Sequence, residues 1–327
     1  GIWLPLCSEA VLPKEFVGAK SDKLLGGSMT RKSDPVGVIG TGLMGTACAR
    51  RLLAAGHEVI GYDVDARTLE KFGETGGRAV RSLAEIVKAC RRIVLAVFNT
   101  DQVEDTVKGP QGLLAVLPAD AVPLTVVCIT TCDPDRIAAL AARIPAHRLH
   151  FVEAPVSGTS DQTARGDALG LIGGDPAAAD EARDVLDAIC PRRHHLGAAG
   201  NGGRAKLAIN LILGVNRAAL SEGLVFAERM GLNPAAFLAV ARESAAYSQI
   251  MDVKGRKMIE GDFAPHGKIT QTLKDFSLML ELATRLGQQL PLAQTYADLV
   301  KGCVAHGEGE LDNSIVIQEI RRRQKGR

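Results

Sequence analysis

Aromatic side chains are scarce in this 327-residue chain: Phe, Tyr and Trp make up 4% of it, and the sole tryptophan is Trp3. That scarcity suits a small polar ligand but decides nothing alone. Long apolar runs are missing too. No run reaches the roughly 18 residues of a spanning segment, which argues against an integral membrane protein. Charge of one sign is not in excess. The 39 basic and 37 acidic residues leave a net charge of +2, so neither nucleic acid nor an acidic membrane is expected as a partner. The seven cysteines are an odd number, scattered, with no C-x-x-C pair. In a chain of this length they read as reduced thiols of a cytoplasmic protein rather than a disulfide scaffold. Cys128 and Cys132 lie close in sequence, but no histidine cluster completes a ligand set, and no metal is expected.

Glycine, by contrast, is abundant, with 35 residues. The length predicts about two domains. Residues 1–28 read differently from the rest. Gly26-Gly27-Ser28 directly precedes Met29, which resembles an initiator, so 1–28 is taken as a cloning leader or an over-extended start. From residue 29 to 198, short apolar runs alternate with amphipathic stretches. Val36–Ile39, Glu58–Tyr62, Ile93–Val97, Leu124–Ile129 and Leu149–Glu153 read as buried strands. Thr46–Ala55, Arg67–Phe72, Leu83–Ala89 and Pro134–Arg143 read as helices. This alternation predicts an α/β fold, a Rossmann-like doubly wound parallel sheet. From 199 to 327 the strand signal stops. Arg204–Met230, Pro234–Arg242, Ile269–Leu286 and Leu292–Ala305 all read as helix, predicting an all-α C-terminal domain. The basic end, Arg321-Arg322-Arg323 with Lys325 and Arg327, reads as a solvated helix terminus.

The run Val36-Gly37-Val38-Ile39-Gly40-Thr41-Gly42-Leu43-Met44-Gly45 places G-x-G-x-x-G between an apolar strand and a helix. Gly40 permits the tight turn, Gly42 lets a pyrophosphate approach the backbone, and Gly45 lets helix and sheet pack closely. The free N–H groups of that helix start then attract phosphate, so Gly40, Gly42, Leu43, Met44 and Gly45 are assigned to a dinucleotide. Asp63 ends the second strand, 23 residues after Gly40. A carboxylate there accepts from ribose hydroxyls and repels a 2′-phosphate, which favours NAD over NADP. Arg67, close by, is the residue that would favour NADP.

Two further segments carry chemistry. One is Glu153-Ala154-Pro155-Val156-Ser157-Gly158-Thr159; the other is Gly200-Asn201-Gly202-Gly203-Arg204-Ala205-Lys206, running into Asn210. With the nucleotide loop and Lys274-Asp275-Phe276, these motifs stand in the order of the β-hydroxyacid dehydrogenase family, which the chain resembles from Val36 onward. That family includes 3-hydroxyisobutyrate dehydrogenase and tartronate semialdehyde reductase. The resemblance implies that Lys206 is the general acid/base and Asn210 its neighbour in catalysis. It implies that Ser157, Gly158, Thr159 and Lys274 meet the substrate, and that Val97, Phe98, Gln102, Thr131 and Lys274 contact the cofactor, with Thr131 near the nicotinamide. It also implies a homodimer or homotetramer. The sequence departs from the family at Glu153, usually Asp, and at Thr159, usually a second glycine; Asp161 stands where small residues are common. The identity of the acid therefore does not carry over.

The residue types suit the chemistry. Oxidising an alcohol by hydride removal needs a base for the hydroxyl proton, and reduction needs an acid. An amine serves both when burial or nearby positive charge lowers its pKa, and Lys274 is a source of such charge. Asn210, four residues after Lys206, falls on the same helix face. The turn Ser157–Thr159 offers N–H groups and hydroxyls to a carboxylate. His57, His194 and His195 have no nucleophile in a recognisable pattern and read as structural or exposed. Two alternatives stand beside a hydroxy-acid dehydrogenase: a non-catalytic NAD(P)-binding scaffold module of the same fold, and an NADP-dependent semialdehyde reductase. Against 6-phosphogluconate dehydrogenase itself stands Ile209, where that enzyme carries histidine; against imine reductases stands Lys206.

Overall fold

The computed structural model of the chain describes residues 34–323. The reading of 1–28 as a leader, and Lys325 and Arg327, lie outside the described residues. Six strands, β1 (Val36–Ile39), β2 (Val59–Tyr62), β3 (Arg78–Ala79), β4 (Arg92–Leu95), β5 (Leu124–Cys128) and β6 (Leu149–Glu153), form one parallel sheet in the order β3-β2-β1-β4-β5-β6. The strands β1 (Val-Gly-Val-Ile) and β5 (Leu-Thr-Val-Val-Cys) are buried throughout, which is why they are mostly apolar and lack an alternation of apolar and polar residues. The order reverses between β1 and β4. Ile39 pairs with both Tyr62 and Leu95, so the ends of β1, β2 and β4 lie level at this switch point. Ligands of doubly wound sheets gather there.

The structure adds a second sheet that the sequence pattern does not predict. Strands β7 (Val156–Ser157), β8 (Leu169–Ile172) and β9 (Arg192–His195) run in the order β7-β8-β9 and join β6 through a bridge between Glu153 and Gly173. The reason for the miss is physical. β7 has two residues, and β9 is an edge strand of Arg and His, largely exposed, without an apolar face to give a period of two. β4 also stops at Leu95, two residues short of the expected Val97, because the chain turns there to meet the nucleotide loop.

After β9 comes a 29-residue helix, Asn201–Arg229. By length and composition it could cross a membrane, contrary to the reading that no apolar stretch reaches a spanning length. Its buried positions nevertheless include Lys206 and Arg217. It packs on the helices Ile269–Arg285, Pro291–Ala305 and Val316–Arg322 around Leu220, Leu224, Phe276, Met279, Tyr296 and Val300. At the centre, the rings of Phe276 and Tyr296 meet edge to face, with centroids 4.8 Å apart. The basic end is not simply solvated: Arg321 pairs with Glu228, and Arg322 reaches Glu308 with two bonds of 2.8 Å.

Gly214 admits the aromatic pair, since a Cβ there would stand 2.4 Å from the Phe276 ring and 2.7 Å from that of Tyr296. Gly214→Ala is therefore expected to lower the unfolding free energy by about 1–3 kcal/mol in urea titrations, the cost of overpacking a filled core outweighing the gain in helix propensity.

Candidate active site

Three glycines shape the nucleotide loop for different reasons. Gly40 has φ +85°, and a Cβ there would lie 2.5 Å from the Ala96 carbonyl at the end of β4. Gly45 lets its helix, Leu43–Ala54, come down on the loop, since a Cβ would lie 1.8 Å from the Gly40 oxygen. Gly42 is unlike both: no atom lies within 4 Å of where its Cβ would be. Nothing in the protein calls for glycine at that position. The open space stands over a helix start with no capping side chain and no acidic residue in its first turn. A cradle of this kind fits a pyrophosphate. Leu43 is exposed on its rim, while Met44 packs partly on the core. Asp63 has a structural task beside the one expected of it. One of its oxygens accepts from the Thr41 N–H (2.7 Å) and hydroxyl (3.2 Å), the other from the Asp65 N–H (2.9 Å), so it braces the loop while keeping acceptor capacity. Arg67 is exposed beside it.

Across the switch point, the segments after β4 and β5 are tied together. The Thr130 hydroxyl donates to the Val97 carbonyl (3.0 Å), and the Phe98 N–H donates to Gln102 Oε1 (2.7 Å). From the helical half, Lys274 Nζ donates to the Thr131 carbonyl (2.5 Å) and lies 5.9 Å from the centre of the Phe98 ring. Val97, Phe98, Gln102, Thr131 and Lys274 thus form one rim.

Lys206 is positioned from the sheet. Glu153, at the end of β6, is buried and accepts from the N–H groups of Gly200 (2.8 Å) and Gly203 (2.9 Å) at the start of the long helix. A Cβ at Gly173 or Gly203 would stand 2.6 or 2.7 Å from the Glu153 oxygens, so glycines enclose the carboxylate. Burial pushes its pKa up, and the helix N–H groups oppose that. The carboxylate suits the positive end of the helix dipole. One and a half turns further on, Lys206 is 7% exposed, and its Nζ forms no hydrogen bond or ion pair among the described residues. Burial, with the positive charges of Lys274 and Arg217, brings its pKa down to about 8, against the pull of Asp275. Asn210 Nδ2 donates to Asp275 Oδ2 (2.8 Å), and Lys274 pairs with Asp275 Oδ1 (2.9 Å). Asp275 was not among the residues singled out from sequence. Its signal was available, since it adjoins Lys274 in the quoted motif, but not its role as the carboxylate joining Asn210 to Lys274.

The turn Ser157–Thr159 follows β7, which packs on the long helix. Thr159 is occupied otherwise than anticipated. Its hydroxyl accepts from the Gln162 N–H (3.1 Å) and its own N–H donates to Gln162 Oε1 (2.9 Å), a capping box for the helix Ser160–Arg165. This explains threonine at a position where the family resemblance leads one to look for glycine. The Ser157 hydroxyl and the Gly158 N–H make no hydrogen bond among the described residues and remain as donors. Asp161 pairs with Arg165 along that helix. His195 contacts the Gly174 carbonyl (3.1 Å), away from this cluster. The six cysteines among the described residues are unpaired and buried. No group of three or more metal-ligating side chains occurs among the described residues.

The class of protein to which this loop and lysine cluster belong is given by the chain's relatives, which are nucleotide-dependent oxidoreductases. Residues 35–197 match the NAD-binding domain of 6-phosphogluconate dehydrogenase, and residues 200–320 match the corresponding region of NADP-dependent 3-hydroxyisobutyrate dehydrogenase. The chain is 31% identical to L-threonate dehydrogenase of Cupriavidus necator over 284 residues, 86% of this chain and 95% of that one. It is 28% identical to the cytokine-like nuclear factor N-PAC of Pongo abelii over 96% of its own length, but spans only 56% of that protein. A crystal structure of 3-hydroxyisobutyrate dehydrogenase from Salmonella typhimurium superposes with a TM-score of 0.78 at 27% identity, covering 88% of this chain and 99% of that one. The chain belongs to the family of NAD(P)-binding oxidoreductases related to 3-hydroxyisobutyrate and 6-phosphogluconate dehydrogenases.

Because the space at Gly42 belongs to no protein atom, Gly42→Ala is expected to melt like the parent protein while NADH binds at least about tenfold more weakly in fluorescence titration. Unaltered NADH affinity in a folded Gly42→Ala protein would remove this loop from the nucleotide site.

Proposed function

We propose that the protein interconverts a small β-hydroxy acid and its semialdehyde or keto acid with NAD(H), Lys206 carrying the hydroxyl proton. The observation that bears most weight is Lys206 itself: a buried amine without a hydrogen-bond or ion-pair partner among the described residues, its pKa brought down to about 8 by burial and two neighbouring cations. Bound nicotinamide supplies or accepts the hydride. In oxidation the neutral Lys206 amine takes the proton of the substrate hydroxyl as the carbon–oxygen double bond forms; in reduction its ammonium returns it. Asn210, held by Asp275, orients the substrate hydroxyl, and its donor hydrogen not used by Asp275 remains free for this. The Ser157 hydroxyl and Gly158 N–H receive the carboxylate, and Lys274 adds positive charge between acid and nucleotide. Asp63 supports NAD over NADP, because a 2′-phosphate would meet its charge at the braced loop. L-Threonate dehydrogenase among the relatives supports a small polyhydroxy acid as one substrate class. Exposed Ile212, Phe226 and Met230 on and just after the long helix support assembly into dimers or tetramers through the helical half, residues 199–327, apart from the nucleotide-binding half, 29–198.

A panel of 3-hydroxyisobutyrate, 3-hydroxypropionate, glycerate, threonate and 4-hydroxybutyrate, run with NAD and with NADP and followed by absorbance, tests the reading. Tight NADH binding with no turnover of any acid would favour a binding module instead. Lys206→Met should lose turnover by at least about a thousandfold and keep NADH affinity. The pH dependence has a definite sign. With a pKa of about 8, kcat/KM for oxidation rises with pH through 8, as the amine loses its proton, and that for reduction falls. Stability follows the same group. Its folded pKa lies below the 10.5 of the free side chain, so the unfolded chain binds the extra proton and stability rises between about pH 8 and 10.5. Lys206→Met should consequently raise the unfolding free energy at pH 7, by up to about 3 kcal/mol.

A further inference from the structure

A second buried lysine lies in the helical half, and it is fully partnered. Lys254, on a π-helical turn (Met251–Gly255), donates to both oxygens of Asp312 at 2.7 and 2.8 Å, and the two side chains are 1% and 0% exposed. Asp312 also accepts from the Ser314 N–H (3.0 Å) and hydroxyl (2.8 Å), and from the His266 N–H (2.9 Å). The carboxylate of the pair is thus held by further donors from two other residues, which helps a buried ion pair to be tolerated. The segment around His266 is sewn to the Asp312 strand of chain, since the Asp312 N–H donates to the Phe263 carbonyl and the Asn313 N–H to that of Gly267, each at 2.9 Å.

The other face of His266 points at the nucleotide-binding half. Its carbonyl accepts from both the N–H (3.2 Å) and the hydroxyl (3.1 Å) of Ser160. Ser160 is the first residue of the helix Ser160–Arg165, next to Thr159. An N–H at the first position of a helix has no partner inside the helix and ordinarily goes to water. Here it goes to a carbonyl 106 residues away, together with the hydroxyl of the same residue. Beside this contact the two halves part. A polar cleft of about 620 Å³ opens there, with Thr159, Gln162 and Arg165 on one wall and Asp252, Val253 and His266 on the other. The Ser160–His266 contact therefore lies at the edge of an opening.

We propose that Ser160, the His266 carbonyl and the Lys254–Asp312 pair form a clamp that sets the Ser157–Thr159 turn against the long helix. The clamp lets the rigidity of the buried pair reach the turn through a single residue, His266, by its N–H on one side and its carbonyl on the other. Ser160 and Asp312 are positioning residues, and neither is assigned a contact with the substrate. The inference rests on the reading of Ser157–Thr159 as the carboxylate site.

Ser160→Pro tests it directly. Proline is favoured at the first position of a helix, and Thr159 before it is already extended, so the helix itself accepts the change. The substitution removes both donors and puts a ring carbon where the N–H pointed. In the NADH-bound protein, amide exchange over residues 157–163 should quicken by about tenfold, with β1 and β5 unchanged. With the best acid of the panel, KM should rise about tenfold while kcat and NADH affinity stay within about twofold. Ser160→Ala, which keeps the N–H, should give a smaller rise of about three- to fivefold and serves if the proline variant fails to fold. Asp312→Asn should raise KM in the parent background but add nothing in Ser160→Pro, since the path is already cut. A folded Ser160→Pro protein with unchanged exchange over 157–163 overturns the clamp. So does an unchanged KM in Ser160→Pro, or in Ser160→Ala where proline does not fold, while Ser157→Ala raises it. If Ser157→Ala leaves KM unmoved, the substrate-turn reading falls first and the clamp with it.

Discussion

An ammonium group removed from water needs an acceptor, and the fold withholds one from Lys206. Its neighbours are two cations and a carboxylate already engaged by Asn210 and Lys274. The electrostatic cost of that arrangement must be met by the rest of the molecule, because a helix free to shift would turn the amine toward water. What prevents the shift is the junction at the helix start. There the Glu153 carboxylate, itself dehydrated, is held by the N–H groups of Gly200 and Gly203. One buried charge is satisfied so that another need not be.

Lys254 makes the contrast plain. Burial acts on both lysines in the same direction and brings both to about 8. Lys254 meets the Asp312 carboxylate with both oxygens in reach, whereas the Lys206 amine has no hydrogen-bond or ion-pair partner among the described residues. Similar desolvation thus leaves one lysine locked in a buried pair and the other without a partner among the described residues. Geometry of partners, rather than depth of burial, separates the two.

Much of this was legible in the chain itself. The parallel sheet was, because β1, β4 and β5 are almost entirely buried and carry apolar runs in which Arg92 and Thr125 are the polar exceptions. The nucleotide loop was, because Gly40 and Gly45 answer to backbone contacts that no other residue allows. The long helices were, within a few residues at each end. The second sheet was not, since Arg192–His195 forms a strand without an apolar face. The engagement of Thr159 could not be read either, as a hydroxyl beside a turn serves a ligand or a helix cap equally well until Gln162 is seen closing the box. Asp275 and Arg217 gained their meaning only from contacts across helices, which lie far apart in sequence and carry no local pattern.

The enclosure of Glu153 bears on how such a protein can be recombined. The carboxylate and Gly173 come from the nucleotide-binding half; Gly200, Gly202 and Gly203 come from the start of the helical half, and a Cβ at Gly202 would also press on the Leu171 carbonyl. Side-chain length on one part is therefore matched to missing side chains on the other. A hybrid joining this sheet to a relative's helices at the strand–helix boundary inherits one side of that fit without its counterpart. That boundary is the worst place to cut, and exchangeable modules begin further along the helix, beyond its first turn.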